Sequence, residues 1–349
     1  MMKPEIGSEF WTGCTPLDGD GVAQLLPAGM DTRYTLCGRT ALALVLQDAV
    51  PIRSAYLPSY CCHTMIEPFV AKGIRVQFYD VFFTDTGIGW NFDENHGCDL
   101  VFLMDYFGFR CESTFRIARQ QKNAGKLVVY DATHAMFCRD MDYSACHYVF
   151  GSFRKWFGVN AGFCAKQGAW QSFPTLTQNA DYCAARNTAF DHKAQFMAGT
   201  PLDKSQFLTA FSQAEESLET DYVGYGPDAQ SMQILQKVNV DAIRSMRREN
   251  AAFAIAQING LASPVFHSPY RQVQETECPL FVPLQVSADS RTDLRRLLIE
   301  SRVYLPIHWP VSDLHAQIGD IYRTELSFVC DQRYERADME RAIHILRSF

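Results

Sequence analysis

Residues 127–155 read LVVYDATHAMFCRDMDYSACHYVFGSFRK, and this stretch decides the fold. The apolar run 127–130 reads as a strand that stops at Asp131. A second run, 147–150, reads as a strand followed by Ser152-Phe153-Arg154-Lys155. Neither run alternates polar with apolar residues, so each predicts a strand covered on both faces, as in a parallel sheet. Ligand sites in such sheets lie beyond the carboxyl ends of the strands. Asp131 and the segment 152–155 are therefore the first residues to examine.

Working outward, the same alternation of strand and helix continues on both sides. Upstream, strands are expected at 54–57, 75–81 and 100–104, the last ending at Asp105, with helices over 40–47, 64–72 and 112–124. Downstream, 163–166 reads as another strand. Residues 169–228 read as polar and helical without clear strands, and one long helix is expected from 231 to about 258. A smaller α/β unit follows, with strands at 280–286, 304–307 and 325–328 and helices at 292–301 and 338–347. The first ~30 residues, rich in Gly, Pro and Asp, read as an irregular lead-in. The pattern predicts an α/β fold with a large domain over 1–230, lead-in included, and a smaller C-terminal α/β domain over 231–349.

Composition fits this size and excludes several classes. A chain of 349 residues exceeds one small core, and 47% hydrophobic with 20% charged residues is ordinary for a globular protein. The net charge is −7 and the basic residues are dispersed, so nucleic acid is not an expected partner. No apolar run reaches the ~20 residues of a membrane span, and the N-terminus lacks the apolar core of a secretory signal. A cytoplasmic location is expected. Twelve cysteines are scattered with no C-x-x-C pair, which points to reduced thiols and no metal site.

Three features combine into chemistry. Gly38-Arg39-Thr40 opens a helix whose backbone N–H groups can hold an anion. Asp131 ends a buried strand. Lys155 follows the next strand. A pyridoxal phosphate (PLP) site needs these types: N–H and hydroxyl donors for the phosphate, a carboxylate to keep the pyridine nitrogen protonated, and a nucleophilic lysine for the aldehyde. Each alone has an ordinary structural explanation, as a turn, a cap or a solvated charge. Their order along a β/α pattern makes the joint reading the stronger one.

The chain resembles the DegT/DnrJ/EryC1/StrS family of PLP-dependent aminotransferases, in the subgroup with S-[FL]-R-K. Cys37-Gly38-Arg39-Thr40-Ala41-Leu42 is similar to its S-G-[TR]-x-A-L turn, and Leu57-Pro58-Ser59-Tyr60 to its V-P-S-Y strand end. Asp105-Tyr106-Phe107-Gly108 resembles H-x-F-G, Asp131-Ala132-Thr133-His134-Ala135 resembles D-A-A-[QH]-A, and Arg247-Arg248-Glu249-Asn250 resembles R-R-x-N. The likeness covers about residues 35 to 349 and includes Ile307-His308-Trp309-Pro310 and the segment from Leu326 to Tyr334.

The resemblance implies an aspartate-aminotransferase fold with a mainly parallel seven-stranded sheet, and a homodimer with active sites at the interface. It implies that Lys155 carries PLP as a Schiff base, Asp131 faces the pyridine nitrogen and His134 lies near the phenolic oxygen. Gly38, Arg39, Thr40 and Ser152 would hold the phosphate. The sequence departs from the pattern in three places. Ser152 stands three residues before the lysine instead of five. Cys62 occupies the position of the usual stacking ring, leaving Tyr60 or His63 to stack. The Asn of the partner's G-x-N-x-R is not evident near Gly224-Tyr225-Gly226.

The leading expectation is amino transfer from an amino acid, glutamate by family habit, to a keto substrate such as a nucleotide-linked keto-sugar of polysaccharide or secondary-metabolite biosynthesis. A PLP-dependent lyase and a catalytically silent ligand-binding relative are the alternatives. Two further residues carry open readings. Trp309 is a packing residue or an approach to the site. Arg333 either binds a substrate carboxylate or caps or salt-bridges the final helix, the second being the favoured reading.

Overall fold

The computed structural model of the chain describes residues 3–49, 51–315 and 319–349. A short strand β1 (Ile6–Gly7) precedes β2 (Asp31–Thr35), helix α1 (Gly38–Asp48), β3 (Ser54–Pro58), α2 (His63–Ala71) and the strands β4 (Arg75–Thr84) and β5 (Gly87–Asn91). Next come β6 (Leu100–Met104), α3 (Ser113–Asn123), β7 (Leu127–Asp131), β8 (Tyr148–Ser152) and β9 (Gly162–Lys166). A helical stretch follows, with β10 (Thr177–Gln178), α4 (Ala180–Met197), α5 (Lys204–Thr220), β11 (Tyr225–Gly226), α6 (Ala229–Lys237) and α7 (Val240–Gly260). The last part holds β12 (Phe266–His267), β13 (Val282–Val286), α8 (Arg291–Glu300), β14 (Val303–Tyr304), α9 (Ile321–Thr324), β15 (Glu325–Phe328) and α10 (Arg336–Arg347).

The large sheet has the order β2-β9-β8-β7-β6-β3-β4-β5. Its centre is parallel, with β4, β3, β6, β7 and β8 running the same way, while β9, β2 and β5 are antiparallel to their neighbours. In β3, β6, β7 and β8 every residue except Leu127 is buried. Both faces are therefore covered, which is why these strands lack alternation. The fold is that of the expected α/β class, but the sheet has eight strands instead of seven. Two of them, β2 and β5, are not among the strands expected from the sequence; β5 closes a hairpin on β4 with Thr84 opposite Gly87. Its sequence GIGWN contains two glycines, which hide it from a propensity reading.

The helix expected from 231 to 258 is two helices. α6 ends at Lys237, and Asn239 turns extended to cap α7, its side chain accepting the Ala242 N–H at 2.8 Å. An asparagine cap inside an apolar pattern starts a new helix because it satisfies one of the orphan donors there. The strand expected at 304–307 is only Val303–Tyr304, and it pairs in parallel with Ile6–Gly7. Gly7 also donates to the Tyr334 hydroxyl at 2.8 Å, so the N-terminal segment is fastened to the C-terminal unit. That unit is a three-stranded antiparallel sheet, β12-β13-β15. Its β13 packs on α7, while α10 packs on α7 and α8. No described helix is long and apolar enough to cross a membrane.

Candidate active site

Asp131 closes β7, in the middle of the parallel strands, with Met104 and Phe150 as its register partners. The side chain is 1% exposed. Its Oδ1 accepts the Thr133 N–H at 2.8 Å, while its Oδ2 is buried without a hydrogen-bond partner. Burial pushes the carboxyl up to about 6, and the hydrogen bonds from Thr133 pull in the opposite direction. A half-satisfied carboxylate in a core is costly unless a donor arrives to complete it.

The N-terminus of α1 lies directly against the ends of β8 and β9. A Cβ on Gly38 would stand 3.2 Å from the Ser152 Cβ, and one on Gly162 would come within 2.7 Å of the Cys37 carbonyl carbon. At Gly162 only glycine permits that approach, while at Gly38 a side chain would make Ser152 give by a few tenths of an ångström. No side chain caps α1, so its first N–H groups keep their capacity for an anion.

The side chains beside these N–H groups are committed elsewhere. The Arg39 guanidinium donates to the Leu218 carbonyl at 2.6 Å and lies 3.6 Å from Glu67. The fully buried Thr40 hydroxyl donates to the Tyr222 carbonyl at 2.6 Å. Both contacts bind α1 to the far end of α5 and the turn that follows. Thr40, expected at the phosphate, thus has its hydroxyl spent on backbone.

After β8 a tight helical turn, Phe153–Lys155, brings Lys155 back over the strand ends. Its side chain is exposed and makes no hydrogen bond or ion pair among the described residues. It stands on the wall shared by two cavities. The smaller, about 290 Å³, is lined by Gly38, Arg39, Cys62, His63, Asp131, His134, Ser152 and Lys155. Those are the predicted site residues apart from Thr40 and Tyr60. Tyr60 is fully buried behind the cavity, packed on Tyr106, Trp309 and Tyr322 with ring centres 4.9–5.6 Å apart.

His134 is buried, and its Nδ1 accepts the Phe107 N–H at 3.2 Å. Burial, with the charges of His308 and Lys155, holds the ring well below the usual histidine range. A neutral ring whose Nδ1 accepts carries its proton on Nε2. Trp309 stacks on this ring at 5.3 Å and 27° and lines the same cavity. Both readings of Trp309 therefore hold, as packing residue and as cavity wall.

The larger cavity, about 590 Å³, begins at Arg154 and Lys155 and extends between the N-terminal segment and the C-terminal unit. Arg186, Arg247 and Arg333 line it and are buried. Arg333 is held bidentately by Asp331, at 2.8 and 2.7 Å, and donates to the Ser8 and Glu9 carbonyls at 3.0 and 2.8 Å. It is a clamp on the N-terminal segment, and its ion-pair partner Asp331 precedes α10, so, contrary to expectation, it does not cap or salt-bridge the final helix. Arg154 and Arg186 converge on Glu215 of α5. Glu215, Thr133 and the C-terminal end of α5 escaped the sequence reading. Thr133 lay inside the motif beside Asp131, its hydroxyl now accepting the Ser152 N–H at 3.2 Å. Nothing in the sequence around Glu215 marked it.

The sequence matches no family model and no curated protein. Solved structures do match. The sugar aminotransferase CalS13 from Micromonospora echinospora is 13% identical, with 100% of each chain covered and a TM-score of 0.62. PseC of Helicobacter pylori, an aminotransferase of pseudoaminic acid biosynthesis, is 12% identical over 98% of this chain and 93% of that one, with a TM-score of 0.63. NtdA from Bacillus subtilis, solved with the cofactor PMP, is 12% identical over 90% of this chain and 72% of that one, with a TM-score of 0.60. At this identity the likeness establishes the aminotransferase fold.

Proposed function

We propose that the chain is a PLP-dependent aminotransferase related to the DegT/DnrJ/EryC1/StrS enzymes, with Lys155 as the residue that joins the cofactor. The observation that carries this reading is the pairing, within one cavity, of an uncommitted lysine amine with a buried carboxylate whose Oδ2 has no donor. The residues fit the group. Asp131 Oδ2 would accept the pyridine N–H, the uncapped N–H groups of α1 with the Ser152 hydroxyl would take the phosphate, and the Nε2–H of His134 would donate to the ring. When bound, the cofactor would supply an electron-withdrawing pyridinium that stabilises a carbanion.

The protein's own work is then positioning and proton transfer. Asp131 would hold a positive ring nitrogen by charge, in a site too buried for water to screen it. The Lys155 amine would take the proton from the α-carbon of the amino donor as general base and, as general acid, deliver it to the cofactor's C4′ carbon. The fold shared with sugar aminotransferases supports an amino acid donor, glutamate first, and a nucleotide-linked keto-sugar acceptor. We assign the chain to the cytoplasm as a homodimer, with the large domain at 1–230 and the small one at 231–349.

The test is an absorbance spectrum of the purified protein, then borohydride reduction and peptide mapping. A phosphopyridoxyl group on Lys155, absent in Lys155→Ala, is expected. Added glutamate should then bleach the long-wavelength band. Reduction that labels a different lysine refutes the assignment.

A further inference from the structure

Cys62 and His63 are not used by the proton transfers described above, yet they stand in the wall of the smaller cavity. Cys62 is the N-cap of α2. Its sulfur receives the Thr64 hydroxyl at 3.2 Å and lies 3.9 Å from His63 Nδ1. We propose that Cys62 is a nucleophilic thiol, paired with His63, that takes a small carbon electrophile from the cavity and thereby blocks it.

Four observations support this. First, the other half-buried cysteines, Cys14 and Cys111, do not line this cavity. Second, the unpartnered Oδ2 of Asp131 faces the same cavity, which marks the space as built for a ligand. Third, the helix N-terminus and the donors at the sulfur favour the thiolate, the form that attacks carbon. Fourth, the charges agree. Burial pushes the Cys62 thiol up, but His63, Thr64 and the Lys155 ammonium together bring it below the usual range. Cys62 in turn raises His63, whose remaining neighbours are Arg39, which lowers it, and Glu67, which raises it. Cys61 and Tyr322 stand behind the sulfur, each pushed up by burial. The pair leans toward thiolate and imidazolium.

Iodoacetamide is a suitable probe. The sulfur forms a bond to the methylene carbon as the carbon–iodine bond breaks, iodide leaves with the bonding pair, and the thiol proton passes through His63 to solvent. A free thiol is only a few per cent ionised at pH 7, so Cys62, whose surroundings favour the thiolate, should alkylate ~10-fold faster than Cys14 or Cys111. Mass mapping of the full chain over a pH series reads this directly. His63→Gln should move the Cys62 profile to higher pH without moving that of Cys111. Thr64→Val should do the same by less, and serves if the His63 variant does not fold. The alkylated protein should no longer take up pyridoxal phosphate.

The last readout rests on the proposed cofactor, and the arms separate the two ideas. Fast labelling of Cys62 without any phosphopyridoxyl adduct on Lys155 supports the thiol and sinks the cofactor assignment. Labelling of Cys62 no faster than Cys111, or a pH profile indifferent to both variants, overturns the thiol proposal whatever Lys155 does. Alkylated protein that still loads pyridoxal phosphate on Lys155 overturns the blocking.

Discussion

Asp131→Asn should stabilise the cofactor-free protein at neutral pH, although it removes a carboxylate from the centre of the site. Burial raises the carboxyl from the usual 3.8 to about 6 in the folded chain. The native state therefore holds a proton between those values that the unfolded state has lost, and stability falls as pH rises through this window. Each tenfold difference in proton affinity between the folded and unfolded chain is worth about 1.36 kcal/mol. The raised proton affinity therefore costs roughly 3 kcal/mol at pH 7.5 and roughly 1.6 kcal/mol at pH 5. Asparagine has no titration and no such slope. The difference in unfolding free energy between variant and parent should change by about 1.4 kcal/mol in favour of asparagine from pH 5 to pH 7.5. Urea denaturation of both cofactor-stripped proteins at the two pH values measures it, and the constant packing effect of the amide cancels in the comparison. Parallel pH profiles would refute the reasoning. The same substitution should abolish the stabilisation that added pyridoxal phosphate gives the parent.

Two substitutions test the scaffold around the site. Gly108 has φ +80°, and a Cβ there would collide with the Cys278 carbonyl, so Gly108→Ala should lower stability by roughly 2–4 kcal/mol by urea denaturation. Asn160, fully buried, donates to Asp228 at 2.9 Å and Asn187 at 3.0 Å and accepts from Arg186 at 3.0 Å. Asn160→Ala removes one partner each from the buried Arg186 guanidinium and the Asp228 carboxylate, which keep their other partners, and should cost about 1–3 kcal/mol in the same assay; a loss below ~0.5 kcal/mol would contradict it.

The sheet was legible because its central strands are short apolar runs ending in polar residues. The expected 100–104 matches Leu100–Met104, and 127–130 falls one residue short of Leu127–Asp131. What escaped was whatever depends on distant partners. Gly87 and Gly89 conceal β5, whose pairing with β4 supplies what its propensity lacks. Asn239 was hidden in an apolar helical pattern, and only its cap geometry shows the break. In the site, residue types at strand ends could be read, but what their side chains bind could not. Thr40 looked like a phosphate hydroxyl, and its real acceptor is the carbonyl of Tyr222, 182 residues away. Tyr60 looked like a stacking ring, and it lies in a buried aromatic cluster. Glu215 pairs with two arginines from a helix that offers no motif.

The bare backbone at Gly38 and Gly162 sets a length. It lets the start of α1 rest on the ends of β8 and β9, so the helix N–H groups and the Lys155 turn are spaced by van der Waals contact alone. That gap works as a caliper: a molecule gripped at both ends must match it. A single methyl at Gly162 would reset the gauge without touching anything held between its jaws.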